Sequence, residues 1–140
     1  MTVENFLQLV DDEFYNNLLF HRVIANFMVQ VGGYDVDMVY REPPRTVVNE
    51  SFNGLSNRKG FIAMARTNDP DSADTQFFIN VRDNARLDAQ PGKPGYTVFG
   101  RVIEGWRVVE SIELVDTGIS QGMSAVPMEP VVLESAERVR

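Results

Sequence analysis

No cysteine occurs among the 140 residues, which excludes disulfides and thiolate metal sites. That absence leaves the compartment open, since periplasmic proteins also do without cysteine. A single histidine, His21, is present. A metal centre would therefore rest on carboxylates, and a histidine-based triad would have to use this residue. No Gly-x-Ser-x-Gly elbow accompanies it, so His21 reads as a structural histidine hydrogen-bonded beside Arg22. Positive charge is scarce: 13 Lys and Arg against 20 Asp and Glu give a net charge of -7. That balance argues against nucleic acid, whose binding relies on neutralising phosphates. No apolar run approaches the roughly 20 residues of a membrane span. The start, Thr2-Val3-Glu4-Asn5, has neither the basic nor the apolar stretch of a signal peptide. The chain as written is expected in the cytoplasm, or in the periplasm if a signal-bearing segment precedes it. Asp69, Asp71 and Asp74 lack the central Gly and closing Glu of a calcium loop and read as a solvated turn.

What is present fits one domain over residues 1–140, with 44% apolar and 24% charged residues. Thr2 is expected to cap a helix opening at Val3, whose Phe6, Leu7, Val10 and Phe14 share a face. Leu18 to Ile24 and Phe27 to Val31 read as strands, with a turn at Asn26. Gly32-Gly33 ends the second, and Tyr34 to Asn49 reads as a loop. Asn53-Gly54 is a turn signal. Gly60 to Ala65, Thr75 to Val81 and Tyr96 to Ile103 read as further strands, the first buried on both faces. Arg66 to Thr75 and Asp83 to Tyr96 are loops. Trp106 to Glu113 is a second helix with Trp106 on its core side. Asp116 to Met128 is expected as a loop and Pro130 to Val139 as a closing strand. Many antiparallel strands with two helices fit a mainly β fold, a barrel closed by helices.

Two segments concentrate the chemistry. Phe20 to Gln30 supplies a guanidinium, two soft apolar side chains and an amide, and Gln76-Phe77-Phe78 adds an amide and two aromatics. Strand alternation places Met28 with Gln30, and Arg22 with Ile24, and sends Phe77 to the face opposite Phe78. The expected site is a shallow apolar pocket with a fixed cation at its lip and amides around it. Such a site suits a neutral peptide better than a phosphate or a metal.

Phe20-His21-Arg22-Val23-Ile24, Phe27-Met28-Val29-Gln30, Met64-Ala65-Arg66, Ser72-Ala73-Asp74-Thr75-Gln76-Phe77-Phe78-Ile79-Asn80 and Val98-Phe99-Gly100-Arg101-Val102 together resemble the cyclophilin family of peptidyl-prolyl isomerases, in its bacterial branch. The match runs through nearly the whole chain. It implies an antiparallel barrel of about eight strands capped by a helix at each end. It implies rotation about Xaa-Pro bonds, assisting protein folding, without any cofactor. Carried over by position, Arg22 is the catalytic arginine. Phe27, Met28, Phe78 and Leu87 hold the proline ring. Gln30 and Gln76 hold the substrate backbone, and Ala65 and Arg66 form the rim. Tyr96 stands where many members carry a histidine and joins the substrate-binding set. Arg86 stands where eukaryotic members carry a cyclosporin-binding tryptophan, so weak cyclosporin binding at most is expected. Val31 replaces the first glycine of a Gly-Gly-Gly run.

Family members begin with about two strands before the helix that opens here, so a barrel lacking its first hairpin is expected. The expected partners are proline-containing peptides and unfolded or folding proteins, bound by a monomer, with strand-exchanged oligomers as the variant an open edge allows. A proline-peptide binding module or chaperone with little turnover is the other reading. A rate assay separates the two.

Overall fold

The structure is a computed structural model and describes residues 1–139. Helix α1 spans Thr2–Asp11 and α2 spans Trp106–Glu113. Nine strands accompany them: β1 Leu18–Leu19, β2 Arg22–Ile24, β3 Met28–Val31, β4 Phe61–Met64, β5 Phe77–Asn80, β6 Val98–Arg101, β7 Thr117–Ser120, β8 Met123–Pro127 and β9 Val132–Leu133. The fold is mainly β with two helices, but among the described residues the strands do not close into one barrel. They form three antiparallel sheets, ordered β2-β3-β5-β4-β6, β1-β9 and β7-β8. β8 lies against β2 without pairing to it, so side chains rather than a continuous hydrogen-bond ladder join the pieces.

Alternation divides the five-stranded sheet into two faces. Val29, Val31, Met64, Phe77 and Ile79 join Leu9, Tyr15 and Leu18 in the main core. Met28, Ala63, Phe78 and Val98 form a smaller buried cluster on the other face. Phe77 is thus the core aromatic and Phe78 the pocket aromatic, as the pattern predicts. The Tyr15 hydroxyl donates to the Thr75 carbonyl at 2.8 Å, and Asn5 Nδ2 to that of Asp74 at 2.9 Å. These bonds tie α1 and its C-terminal turn to the chain entering β5.

Several expectations are corrected. Thr2 lies inside α1 and caps nothing. Instead its N–H and hydroxyl donate to Glu50 Oε1 at 2.7 and 2.6 Å. Those bonds hold the Glu50 carboxyl below its ordinary pKa, and the anion sits at the positive end of the helix. The strand expected over Leu18 to Ile24 is two, because Phe20-His21 carries the chain from one sheet to the next. The expected Asp116 to Met128 loop is the β7-β8 hairpin. Gln121 (φ 48°) and Gly122 (φ 79°) both take left-handed backbone, the twist that suits a two-residue hairpin turn. The closing strand shrinks to Val132–Leu133, pairing with Leu18–Leu19.

Candidate active site

One row of paired residues crosses the sheet. Arg22 faces Gln30, Gln30 faces Phe78, Phe78 faces Ala63 and Ala63 faces Val98. A guanidinium, an amide and an apolar floor therefore lie side by side by register alone. The β2-β3 turn brings Phe27 over that floor, with Asn26 in left-handed backbone (φ 62°) and the Phe27 N–H bonded to the Ile24 carbonyl at 3.1 Å. Leu87, from a 3₁₀ turn over Ala85–Leu87, and Tyr96 complete the wall. The Tyr96 N–H donates to the Leu87 carbonyl at 2.9 Å.

These residues enclose a cavity of about 210 Å³ lined by Arg22, Phe27, Met28, Gln30, Ala65, Arg66, Phe78, Leu87 and Tyr96. That is below the roughly 300 Å³ at which pockets for drug-sized ligands begin, and suits a single ring. Every expected site residue lines it except Gln76. That residue lies in an adjoining cavity of about 200 Å³ shared by Gln30, Ala65 and Arg66. It still reaches the site through an amide relay. Arg22 Nη1 lies 3.4 Å from Gln30 Oε1, and Gln30 Nε2 donates to Gln76 Oε1 at 2.9 Å. Among the described residues no carboxylate pairs with Arg22, whose charge stays available at the lip.

The Gly32-Gly33 pair serves this relay. A Cβ on Gly33 would lie 2.5 Å from Gln76 Nε2, and one on Gly32 2.6 Å from the Thr75 carbonyl oxygen. The φ of +113° at Gly32 excludes other residues independently. Gly33→Ala is therefore expected to swing the Gln76 side chain out and break the relay, lowering kcat/KM about 3–10-fold, in keeping with loss of one hydrogen bond. Thermal stability should change little, since the displaced group is a half-exposed amide. Steady-state kinetics beside a melting curve checks both.

His21 is buried, and its ring centroid lies 4.7 Å from that of Tyr34. Its ring bonds the Leu19 backbone, while its Nδ1 has no partner among the described residues. Burial first, and then the Arg22 charge, push its pKa down to about 4, against a smaller opposing pull from the Leu19 carbonyl. The imidazole is neutral at pH 7 and adds no charge beside Arg22. The unfolded chain takes up this proton near pH 6.5 and the folded chain only near pH 4. The His21 contribution should thus fall by about 3 kcal/mol as pH drops through that window, and level off below it. Denaturant titrations of wild type and His21→Phe should show that segment of the pH profile flattened in the variant.

The support beneath the wall was not legible from the sequence. Asn80 is wholly buried; its Nδ2 donates to Asn57 Oδ1 at 3.1 Å and to the Phe61 carbonyl at 3.0 Å. Asn84 Nδ2 donates to Asn80 Oδ1 at 2.8 Å and to the Phe27 carbonyl at 2.9 Å. Asp88 accepts from the Ser56 hydroxyl and from the Asn57 N–H and Nδ2. Burial opposes its charge, but those bonds prevail and hold its pKa below the ordinary value. Asp69, Asp71 and Asp74 accept bonds from backbone N–H groups of Asp71, Asn49 and Thr75. Among the described residues no three acidic or histidine groups gather as a metal site. Nor is any helix long and apolar enough to cross a membrane.

Comparison with known proteins gives a consistent result. The family model for cyclophilin type peptidyl-prolyl cis-trans isomerase/CLD matches residues 1–138. A peptidyl-prolyl cis-trans isomerase of Streptomyces antibioticus is 52% identical over 139 residues, covering 97% of this chain and 84% of that protein. Isomerase B of Escherichia coli is 46% identical over 137 residues, covering 96% and 84%. Isomerase A of Dickeya dadantii is 46% identical over 140 residues, covering 100% and 74%. In fold, the chain is similar to a cyclophilin type isomerase of Cryptosporidium parvum crystallised in the presence of the dipeptide Ala-Pro. The TM-score is 0.78 at 23% identity, over 99% of this chain and 85% of that one.

Proposed function

The chain belongs to the cyclophilin-type peptidyl-prolyl cis-trans isomerases, and on that premise we propose how its own residues turn an Xaa-Pro bond. The bond resists rotation by about 18–20 kcal/mol, because the nitrogen lone pair is delocalised into the carbonyl. No covalent bond has to break. What accelerates rotation is a group that binds the twisted state more strongly than the planar one. At the twist the prolyl nitrogen becomes pyramidal and regains its lone pair. Arg22, at the lip of the cavity, donates an N–H to that nitrogen. Its permanent charge and rigid fork suit the task, and the apolar floor beneath strengthens the interaction by excluding water.

Phe27, Met28, Phe78 and Leu87 grip the ring while the preceding carbonyl swings. Gln30, Gln76 and the Ala65-Arg66 backbone hold the flanking chain, and Tyr96 closes the wall. The substrates are proline-containing peptides and folding proteins, the class to which the Ala-Pro dipeptide supplied to the Cryptosporidium relative belongs. The protein works as a monomer. Cyclosporin binds weakly at most, because the Arg86 guanidinium rather than an indole rests over Phe27, 4.9 Å from its ring centroid.

The observation that carries this reading is the shared cavity: an exposed, acid-free guanidinium and a closed apolar floor in one register row. Its test is the cis–trans relaxation of a short Ala-Pro-Phe peptide at low temperature. Relaxation should accelerate in proportion to protein concentration. Saturable binding without acceleration would replace turnover with simple proline-peptide binding.

A further inference from the structure

A third cavity, of about 400 Å³, adjoins the one at Arg22 and shares Arg66, Leu87 and Tyr96 with it. The chain beside a proline seated in the Arg22 cavity therefore lies within reach of this third one, across the common wall of Leu87 and Tyr96. In a chain of net charge -7, this cavity is lined by three cations, Arg66, Arg86 and Lys93, and one carboxylate, Asp88. Both guanidinium groups are fixed on aromatic rings. Arg86 lies 4.9 Å from the centroid of Phe27 and Arg66 4.7 Å from that of Tyr96. Arg66 is held further by donation to the carbonyls of Gly95, Thr67 and Pro94 at 3.0, 2.8 and 3.0 Å.

None of the three cations pairs with a carboxylate among the described residues. Asp88 keeps its charge but its oxygens are turned to Ser56 and Asn57, and one carboxylate against three cations leaves the cavity positive. The cavity that holds Gln76 lacks this excess of positive charge, for it is lined by one cation, Arg66, and one carboxylate, Asp74.

We propose that this isomerase favours Xaa-Pro segments with a Glu or Asp side chain within about two residues of the proline, seated between Arg86 and Lys93. This rests on the reading that the Arg22 cavity holds the proline ring. An acidic side chain there meets the Arg86 guanidinium, held on the Phe27 ring, and the Lys93 ammonium opposite it. A lysine at the same place meets repulsion.

The test uses end-blocked Ala-Pro-Phe peptides extended on either side by Glu, Gln or Lys, assayed for isomerisation and for binding by fluorescence polarisation. At low ionic strength the Glu peptide, extended on one side, should show kcat/KM about 3–10-fold above its Gln counterpart, with Lys below both. Raising salt to about 0.5 M should bring the ratio toward one, because exposed charges are then screened. Arg86→Gln and Lys93→Gln should each lower the ratio, which is normalised within each variant. Equal values for Glu and Gln on both sides would overturn the proposal, as would a preference that survives both substitutions together. If no peptide is accelerated, the proline-cavity reading fails. The polarisation arm then still decides the charge preference, which equal affinities would reject.

Discussion

Replacing Arg22 with alanine should lower kcat/KM for an Ala-Pro-Phe peptide on the order of 100-fold and leave the fold intact. The size follows from what is removed: one charge-assisted donor to the reacting nitrogen, a loss of about 3 kcal/mol in transition-state stabilisation. The intact fold follows from where it is removed. Arg22 is exposed on the edge strand of its sheet, and its side chain's one hydrogen bond among the described residues is the long 3.4 Å contact to Gln30. Surface substitutions of that kind typically shift stability within about 0.5 kcal/mol. Arg22→Lys separates charge from geometry. It keeps the cation and loses the planar fork, so it should recover only part of the rate. Peptide kinetics beside circular-dichroism melts reads all three proteins; a lysine variant at full activity would show that charge alone suffices.

The largest stability effect is expected at Asn80, a wholly buried residue that does not line the cavity. Asn80→Leu keeps the branched heavy-atom shape and deletes three hydrogen bonds at once: those to Asn57, to the Phe61 carbonyl and from Asn84. It also leaves the Asn57 Oδ1 acceptor and one of the two Asn84 Nδ2 hydrogens without their partners. The combined cost should be about 3–5 kcal/mol, well above that of a single surface hydrogen bond. For a domain of this size the midpoint should drop by roughly 10 °C or more. Asn84 also bonds the Phe27 carbonyl, and its own carbonyl accepts from the Leu87 N–H at 2.9 Å. Two walls of the proline cavity therefore loosen together, and KM should rise even below the melting range. Thermal melts and kinetics at a temperature where the variant is folded check both. A variant that melts normally would show that the asparagine network is incidental.

What the sequence made legible is local and periodic. The two-residue period places Met28, Gln30 and Phe78 on one face and Phe77 on the other, and the structure agrees. Asn26 signals its turn because asparagine tolerates left-handed backbone. The ordered motifs bring Leu87 and Tyr96 to the cavity from far along the chain, which no local pattern would predict. The parts that escaped are those set by distant partners. The break at Phe20-His21 depends on β1 finding β9, more than a hundred residues away. The β7-β8 turn uses Gln121-Gly122, which lacks the Asn-Gly or Asp-Gly signature. The asparagine network is invisible because a buried asparagine and a loop asparagine look alike in a sequence; only its partners tell them apart. Thr2 misled for the same reason, since a hydroxyl at a helix start reads as an acceptor, and here it donates to Glu50.

The central claim is that Arg22 acts on the twisted state rather than on ground-state binding. Exchange NMR of a proline peptide with wild type and Arg22→Ala measures both quantities in one sample, the peptide Kd and the cis–trans rate on the enzyme. The account predicts that Kd changes by no more than a few-fold, because the ring is gripped by Phe27, Met28, Phe78 and Leu87, while the on-enzyme rate falls about 100-fold. A variant whose bound peptide still turns at the wild-type rate, with affinity lost instead, would contradict it.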